Sequence, residues 1–324
     1  MRVTRKIATL LERCLASPFR IAANVLAKGN YPGLSRKSEW SIGIYHGTTP
    51  FDICDAGDIR NPVVTAAQVT DVKAEFVADP FMIEKDGVWH MFFEVFEAAR
   101  QKGEIGLATS RDCRRWSYQK IVLREPFHLS YPFVFKWRGD YYMVPESADA
   151  NRIGLYRAKE FPHVWEFTGN LIEGTFGDHA LFLYQDTWWL LAGAEPVLHN
   201  KLRLFYSTNL TGPWQEHPKS PIVEDDAKIA RPGGRPLLFQ GSIVRFAQDS
   251  APTYGRILNA FLITKLSKTE YLEHPFEGNP ILAPGRFPWN MHGMHHIDAH
   301  ELAPGHWIAC VDGYKREFRL KFEY

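Results

Sequence analysis

Acidic residues at the ends of aromatic, strand-like segments are the first feature of this sequence that could support chemistry. Asp79 and Asp178 each stand near the start of such a segment, and Glu146 ends another. Chemistry at a glycosidic bond needs two carboxyl groups. One is ionised to attack or stabilise the sugar carbon, and one is protonated to donate to the leaving oxygen. The pattern predicts Asp79, Glu146 and Asp178 as catalytic residues of a carbohydrate-active enzyme.

Each of these carboxylates also has a purely structural interpretation. Asp79 precedes Pro80, where an aspartate commonly holds a backbone amide in a turn, and Asp178 could do the same. Glu146 could be a solvated carboxylate at a rim. The recurrence of acidic residues at equivalent places favours the catalytic interpretation.

Two arginines form a second candidate group. Arg231 and Arg235 flank Pro232–Gly234, where the glycines allow close backbone approach and two guanidinium groups could grip a phosphate or carboxylate. The alternative is a turn whose arginines pair with local acids such as Asp225 or Asp226. We predict that a phosphate-bearing sugar donor or acceptor binds here.

The segment Met291–His300 is rich in histidine but does not have the spacing of a metalloprotease helix, and no cysteine assists it. We therefore predict no metal and no other cofactor. Hydrogen bonding to sugar hydroxyls or proton transfer by His296 is the functional interpretation, and a packed structural histidine is the alternative. The predicted substrate-binding residues are Tyr131, His179, Arg231, Arg235, His295, His296 and Asp298.

An internal repeat must position these residues. The first copy runs from Asp79 through a second strand after the Asp86-Gly87 turn, which is a hairpin pattern, to a third strand and a tryptophan. The tryptophans Trp116, Trp165 and Trp214 follow one another at two equal intervals of 49 residues. This period matches one four-stranded blade of a β-propeller.

Five copies can be traced, of which the fourth is diverged. The chain ends too soon after Val311 for a complete fifth blade, whereas the strand-like residues 40–45 precede the first copy. Closing the ring with this N-terminal strand removes both open sheet edges. We predict an all-β, five-bladed β-propeller over residues 31–324, with a β-sandwich of similar strand number as the alternative.

The propeller fold explains why residues far apart in sequence could form one site. The innermost strand of each blade lines the central channel, so the starts of the repeats converge. The ends of the second strands add Glu94 and Glu146. Trp89, Trp188 and Trp189 could stack on sugar rings, although packing between blades is the default for strand aromatics.

Composition excludes several other functions. The formal net charge is +1, so no global basic field indicates nucleic acid as a partner. The four cysteines lack CxxC spacing, which argues against a zinc site or a dense disulfide framework and fits a reducing, cytoplasmic compartment.

Residues 1–30 form a separate basic, amphipathic segment that we predict to be a short helix. It has no apolar run long enough to span a bilayer and no cleavage site of a signal peptide. Residues 1–28 could contact the inner membrane face peripherally, or the helix could pack on the propeller or remain a loose terminus.

The opening Ala78–Phe81, with Asp178 two blades later, resembles the five-bladed glycosidases of glycoside hydrolase families 43 and 32. That resemblance implies that Asp79 is a base or nucleophile and that Asp178 tunes or orients. A later-blade glutamate is the acid in that superfamily, whereas the fourth-blade opening here carries Arg231 and Arg235.

Over roughly residues 40–315 the chain more closely resembles the N-terminal propeller of plant glucosamine inositolphosphorylceramide transferases and bacterial relatives. In those plant proteins a separate domain resembles the glycosyltransferase. The matching stretches are Ala78–Phe81, Leu129–Val134, Val144–Ser147, Leu210–Trp214 and Ala230–Gly234.

These observations favour an enzyme that forms or transfers a glycosidic bond in surface-glycan (polysaccharide) or glycolipid synthesis, with its active site in the channel. A glycoside hydrolase using paired carboxylates and a non-catalytic glycan-binding propeller are the alternatives.

Overall fold

The computed structural model describes the backbone of residues 34–320 and the side chains of residues 38–316. Residues Trp40–Lys315 form one compact unit, which carries the propeller. The helix predicted for residues 1–30, and the boundary predicted after residue 30, lie outside the described residues. Within residues 34–320, no helix has the length and apolar character needed to cross a membrane.

Strands make up nearly all the regular structure of the described residues, together with three short 3-10 helices, Ala66–Gln68, Ala148–Ala150 and Pro288–Asn290. The strands are β1 (Leu34–Gly47), β2 (Ala74–Lys85), β3 (Val88–Glu97), β4 (Lys102–Ser110), β5 (Ser117–Leu123), β6 (Ser130–Trp137), β7 (Asp140–Glu146), β8 (Arg152–Glu160), β9 (Val164–Glu173), β10 (Phe176–Tyr184), β11 (Thr187–Ala194), β12 (Lys201–Ser207), β13 (Gln215–Glu216), β14 (Arg231–Pro232), β15 (Leu237–Phe239), β16 (Ser242–Asp249), β17 (Ile257–Leu266), β18 (Tyr271–Pro275), β19 (Ile297–Ala303) and β20 (His306–Leu320).

The strands form five sheets, which are the five predicted blades. Blades 1, 2 and 3 have the orders β2-β3-β4-β5, β6-β7-β8-β9 and β10-β11-β12-β13. Blade 4 has the order β14-β16-β17-β18 with β15 also paired to β16, and blade 5 has the order β1-β20-β19. The N-terminal strand β1 therefore closes the ring beside the C-terminal strand, as the sequence predicts. The five-bladed, all-β fold is confirmed, and a sandwich of two sheets is excluded.

The repeated tryptophans occupy equivalent positions. Each stands at or next to the start of the outermost strand of its blade, where its indole N–H donates to a backbone carbonyl in the preceding turn. The pairs are Trp116 to Cys113 at 3.1 Å, Trp165 to Pro162 at 3.0 Å and Trp214 to Leu210 at 3.2 Å. The same bond in three blades gives a physical reason for the spacing of the tryptophans.

The first hairpin of each of blades 1 to 4 turns through two residues with positive φ. Asp86-Gly87, predicted as a hairpin turn, has φ values of 54° and 75°. The equivalent pairs are Arg138-Gly139, Gln185-Asp186 and Gln240-Gly241. Two left-handed residues match the twist of the flanking strands, so these turns set the register of the two innermost strands.

The innermost strands are irregular where they approach the channel. The pairing of β2 with β3 shifts between Ala78 and Phe81, and that of β6 with β7 shifts between Ser130 and Phe133. The residues inside these bulges, Asp79 and Tyr131, have φ values of 53° and 45°. A bulge bends the strand and re-aims the side chain, which here brings Asp79 and Tyr131 into the buried centre.

Close backbone contact joins blades 4 and 5 near the channel. Gly234 bridges Ile297 in parallel fashion, and a Cβ added at Gly234 would lie 1.9 Å from the Ile297 carbonyl oxygen. Its φ of 152° is also unfavourable for other residues. The glycines after Arg231 therefore permit the close backbone approach that the sequence predicts.

Candidate active site in the central channel

The second strands of four blades each deliver one polar side chain to the channel. In register, Glu94 lies opposite Ala78, Glu146 opposite Ser130 and Gln248 opposite Arg231. Asp312 follows Val311, the partner of Ile297, in the fifth blade. All four polar residues are buried. They form one ring with the residues that open the innermost strands, and this ring is the candidate site.

Arg231 is the centre of the ring. Its Nε and Nη2 donate to the two carboxylate oxygens of Asp178, at 2.7 and 3.0 Å, and Nη2 also donates to Glu146 Oε2 at 3.2 Å. Nη1 lies 3.0 Å from His199 Nδ1. The side-chain amide of Gln248 donates to Asp178 Oδ2 at 2.5 Å. Asp178 is buried, and both of its carboxylate oxygens accept hydrogen bonds. Such a carboxylate is suited to positioning the side chains around it.

This arrangement separates the ionisation of two adjacent carboxyl groups. Burial opposes the charge of Asp178, but the Arg231 guanidinium and a hydrogen bond from Glu146 hold the pKa of Asp178 well below its usual range. Burial raises the pKa of Glu146 well above its usual range, and the neighbouring Asp178 carboxylate adds to this effect against the attraction of Arg231. Asp178 is thus the ionised and Glu146 the protonated member of the pair.

Asp79 belongs to a second chain of contacts, with His295 and Asp312. Asp312 accepts hydrogen bonds from His295 Nδ1 at 2.8 Å and from the Asp79 backbone N–H at 3.0 Å. His295 Nε2 then lies 3.8 Å from Asp79 Oδ1, which is buried and has no hydrogen-bond partner. Asp312 thus fixes both the imidazole and the backbone of the residue that the imidazole faces.

The charges of this trio are interdependent. Burial raises the pKa of Asp79 to about 8, against the attraction of His295 and with the repulsion of Asp178 and Asp312. Burial opposes charge on His295, but Asp312 outweighs it and raises the pKa of that imidazole. The pKa of Asp79 therefore lies near neutral pH, which is the range in which a general base works best. Ligand atoms of Asp79, His295 and Asp312 also lie within 4.8 Å of one another, a geometry that could hold a metal ion. The sequence did not indicate this cluster.

Glu94 is a further buried carboxyl group of the ring. Burial raises its pKa well above the usual range, and repulsion from Asp79 and Glu146 adds to this. His128 Nδ1 accepts the Gly103 backbone N–H at 2.8 Å, which leaves the proton of the neutral ring on Nε2, 3.6 Å from Glu94 Oε1. Glu94 therefore has a neutral neighbour, in contrast to Glu146 beside Arg231.

Arg235 and Asp298 form a separate pair. Arg235 Nε and Nη2 donate to the two oxygens of Asp298 at 2.6 and 3.3 Å. Asp298 Oδ2 also accepts the Met82 backbone N–H at 2.7 Å and lies 3.1 Å from His300 Nε2. This pair connects blades 1, 4 and 5. Neither arginine pairs with Asp225 or Asp226, the local partners considered in the sequence.

The three remaining predicted binding residues contact backbone carbonyls across blade boundaries. The Tyr131 hydroxyl donates to Gly234 O at 3.2 Å, while His179 Nε2 and His296 Nε2 lie 3.1 and 2.9 Å from carbonyl oxygens of Val144 and Pro80. Burial lowers the pKa of both histidines to about 4, so both are neutral at pH 7. These contacts make them part of the wall between blades.

An aromatic group borders the ring beside His295. Trp40 stacks on the His295 ring at 4.1 Å, and Tyr254 meets it edge-on at 5.2 Å. The Arg231 guanidinium lies 5.3 Å from the centre of the Tyr254 ring, which is 37% exposed. Tyr254 therefore lies between solvent and the two cationic groups of the site, Arg231 and His295.

The structure thus brings together five of the predicted residues, Asp79, Glu146, Asp178, Arg231 and His295, and places Arg235 with Asp298 in a different ion pair. Sequence reasoning missed Asp312, Gln248, His199 and Tyr254. For Asp312 and Gln248 a signal existed, since both occupy the second-strand position that identified Glu94 and Glu146. His199 and Tyr254 lie in connections without a counterpart in other repeats, so the period gave no signal for them.

Comparison with known proteins gives the same family name for the matching family and for its curated relatives. The family described as glucosamine inositolphosphorylceramide transferase 1, N-terminal, matches residues 35–314. A protein of that name from Oryza sativa subsp. japonica is 38% identical over 299 residues, covering 86% of this chain and 40% of the rice protein. The protein of the same name from Arabidopsis thaliana is 33% identical, with 86% of this chain and 39% of the relative covered. This chain therefore spans about 40% of the length of these curated relatives.

Solved structures share the fold at low sequence identity. A putative glycosidase from Bacteroides thetaiotaomicron aligns with a TM-score of 0.57 and 12% identity, over 78% of this chain and 94% of that chain. The exo-β-1,3-galactanase 1,3Gal43A from Clostridium thermocellum aligns with a TM-score of 0.54 and 13% identity, over 64% of this chain and 51% of the other. At these identities the likeness concerns the fold alone.

Proposed function

This chain belongs to the family of the N-terminal region of glucosamine inositolphosphorylceramide transferase 1, and we propose that its channel binds a sugar and transfers it to an acceptor. The transfer forms a glycosidic bond in surface-glycan or glycolipid synthesis. The name of the relatives describes the transfer of glucosamine to an inositol phosphate lipid. Because the chain spans only about 40% of those relatives, the activity of the whole relative is carried over here as part of the proposal.

The observation that carries the proposal is the separation of acid and base functions within the ring. Asp178 is held ionised by Arg231 while Glu146, hydrogen-bonded to it, is held protonated. Adjacent carboxyl groups with opposed pKa shifts are the arrangement by which one site supplies a proton and accepts another at the same pH. Glu146 is the proposed acid, which burial keeps protonated, and the Asp178 carboxylate adds to this effect.

Asp79 is the proposed base. Its Oδ1 lacks a hydrogen-bond partner, its pKa is raised to about 8, and His295 lies on the same side at 3.8 Å. In the proposed transfer, the acceptor hydroxyl attacks the sugar carbon and gives its proton to Asp79. The leaving oxygen takes the proton of Glu146, and the glycosidic bond passes from the leaving group to the acceptor. Asp79 thus gains one proton and Glu146 loses one, and the next turnover requires both to return to their starting states.

The phosphate-bearing donor or acceptor predicted from Arg231 and Arg235 stays a prediction. Each guanidinium already makes two hydrogen bonds to a carboxylate, Arg231 to Asp178 and Arg235 to Asp298. A phosphate bound at either arginine would displace a buried carboxylate, which is costly because the carboxylate would lose its counter-charge. A cytoplasmic location and membrane contact through residues 1–28 likewise stay predictions.

A thermal-shift screen with nucleotide sugars, sugar phosphates and free glycans tests the proposal, because a ligand bound to the folded state raises the melting temperature. We expect a sugar-containing ligand to stabilise the wild-type chain, and mass spectrometry to detect a transferred sugar when an acceptor is added. The control matched to Glu146→Gln in the ring is Glu277→Gln. Glu277 is an exposed glutamate outside the ring, so this variant should behave as wild type. Release of free sugar without an acceptor would identify a hydrolase instead. Binding without any product would identify a glycan-binding propeller.

A further inference from the structure

A second cavity lies between blades 1 and 5, away from the ring of carboxyl groups. Its volume is about 440 Å³, and it is lined by the start of β3, the turn between β4 and β5, the β19–β20 hairpin and the segment after β1. Trp89 in its wall stands at the start of β3, five residues before Glu94, or about 17 Å along the strand. The cavity therefore lies at the other end of β3 from Glu94, and nothing in the proposed transfer uses it.

The charged residues of this cavity leave one cation without a partner. Arg114 pairs with Asp58, Nη2 to Oδ2, at 2.7 Å, and Arg115 lies 3.5 Å from Asp112. Asp112 also accepts the backbone N–H groups of Arg114 and Arg115, at 2.9 and 2.8 Å. Within the part of the chain that the structure describes, Arg111 makes no hydrogen bond or ion pair although it lines the cavity. Both carboxylates therefore have other partners, so among the described residues Arg111 remains as an unpaired cation in the wall of the cavity.

Two imidazoles that also line the cavity add hydrogen-bonding capacity. His46 and His306 stack with ring centres 5.9 Å apart and an interplanar angle of 16°. His46 Nε2 is buried and has no hydrogen-bond partner. Burying a polar nitrogen without a partner is costly, and a bound ligand would remove that cost.

The remaining wall is apolar. Trp89, Leu302 and Ile308 line the cavity beside the two imidazoles. An indole next to hydrogen-bonding groups suits a compact ring with polar edges and apolar faces. The volume also falls in the range of small-ligand sites.

From these contacts we infer that the cavity binds a phosphate ester of a polyhydroxylated ring, such as a sugar phosphate or an inositol phosphate. Arg111 pairs with the phosphate, His46 Nε2 bonds to a phosphate or hydroxyl oxygen, and Trp89 packs against the ring. A phosphate provides several acceptor oxygens for donors that approach from different directions, which a neutral ring does not. The inference does not depend on chemistry at the carboxyl ring and stands or falls separately.

Calorimetric titration of the full chain with glucose 6-phosphate and myo-inositol 1-phosphate tests this inference. We expect at least one ester to bind, and its uncharged parent, glucose or myo-inositol, to bind at least roughly tenfold more weakly. Arg111→Gln should weaken the ester by roughly tenfold to a hundredfold, because it removes a charged hydrogen bond. Leu302→Glu, at a position that is 44% exposed, should also weaken it by adding a repelling charge.

Arg286→Gln is the matched control, because Arg286 is exposed and lines neither this cavity nor the carboxyl ring. It should bind the ester as the wild type does. Unchanged melting temperatures would establish that the variants are folded. Equal affinity of wild type and Arg111→Gln would overturn the inference, as would equal affinity for the ester and its parent. If inorganic phosphate bound as tightly as the esters, the part of the inference that concerns the ring would be wrong.

Vesicles distinguish a lipid headgroup from a free ester as the source of this chemistry. Wild-type chain that co-sediments with phosphatidylinositol vesicles but not with phosphatidylcholine vesicles, through Arg111, would assign the site to a lipid headgroup. If the soluble ester binds but Arg111 makes no difference to co-sedimentation with phosphatidylinositol or phosphatidylcholine vesicles, the cavity would be assigned to a free phosphate ester. Binding of neither vesicle nor ester would overturn the inference.

Discussion

Arg231 holds Asp178 through two parallel hydrogen bonds, Nε to Oδ2 at 2.7 Å and Nη2 to Oδ1 at 3.0 Å, across the boundary of blades 3 and 4. Both side chains are at least nine-tenths buried. Burial raises the pKa values of Glu146 and Asp79; the ionised Asp178 adds to both effects, and the Arg231 guanidinium opposes them.

Replacing Arg231 by leucine should lower the free energy of unfolding by about 3–5 kcal/mol at pH 7, because it leaves a buried carboxylate without its counter-charge. The folded-state pKa of Asp178 is depressed, so the pair contributes stability above the unfolded pKa of about 4 and loses it as the pH falls further. The deficit of Arg231→Leu should therefore shrink in acid. Urea denaturation at pH 7 and at about pH 3, below the unfolded pKa, measures both effects.

The double variant Arg231→Leu with Asp178→Leu is the control for this experiment. Removing both charges leaves no unpaired carboxylate, so much of the lost stability should return. A single variant as stable as the wild type at pH 7 would show that the pair does not hold the blades together.

Asp312→Asn should lower the pKa of His295. Burial opposes charge on this imidazole, and the Asp312 carboxylate outweighs that effect. Without the carboxylate, burial dominates and the pKa should fall below the ordinary value of about 6.5. Titration of the histidine resonances by NMR measures this shift, with Asp186→Asn in an exposed turn as the control. A His295 pKa that is the same in both variants would contradict the positioning role of Asp312.

The rate of transfer should rise with pH through about 8, since the proposed base Asp79 must lose its proton before it can accept one from the acceptor. It should fall where Glu146 loses its own proton, which burial shifts to a higher pH than that of an ordinary carboxyl group. In Glu146→Gln the high-pH fall should disappear, because glutamine does not titrate. A rate that declines steadily from pH 6 upwards would contradict these roles.

Glu146→Gln should also discriminate between leaving groups. A poor leaving group needs the proton of Glu146, so its rate should drop by roughly a hundredfold or more, whereas an activated aryl glycoside should lose much less. The kcat/KM values of the two substrates measure the difference. An equal loss for both leaving groups would assign Glu146 to binding and not to proton donation.

Much of the fold could be predicted because the same succession of strands and the same tryptophan recur from blade to blade. The tryptophans 49 residues apart mark a hydrogen bond that recurs in three blades, and the strand at residues 40–45 had no partner other than the last blade. The site was only partly predictable. Asp79, Asp178 and Glu146 stand at repeating positions, so the period located them.

The ion pairs between side chains of different blades could not be predicted from the 49-residue repeat. Arg231 pairs with Asp178, 53 residues away, instead of with the local acids, and Arg235 reaches Asp298 across 63 residues. Asp225 and Asp226 instead accept hydrogen bonds from the Asn200 side chain and the Lys228 backbone. Choosing among these partners depends on how the blades are arranged around the channel, which a linear pattern does not contain.

The most direct test of the proposed site compares the wild type with Asp79→Asn in the rate of sugar transfer, measured by mass spectrometry of the product. Asparagine keeps the shape and removes the charge, so we expect the rate to fall by roughly a hundredfold or more with an unchanged melting temperature. Asp186→Asn is the matched control, since Asp186 has nearly the same φ, 54° against 53°, but lies in an exposed turn. An Asp79→Asn variant that transfers sugar as fast as the wild type would contradict the assignment of catalysis to this ring.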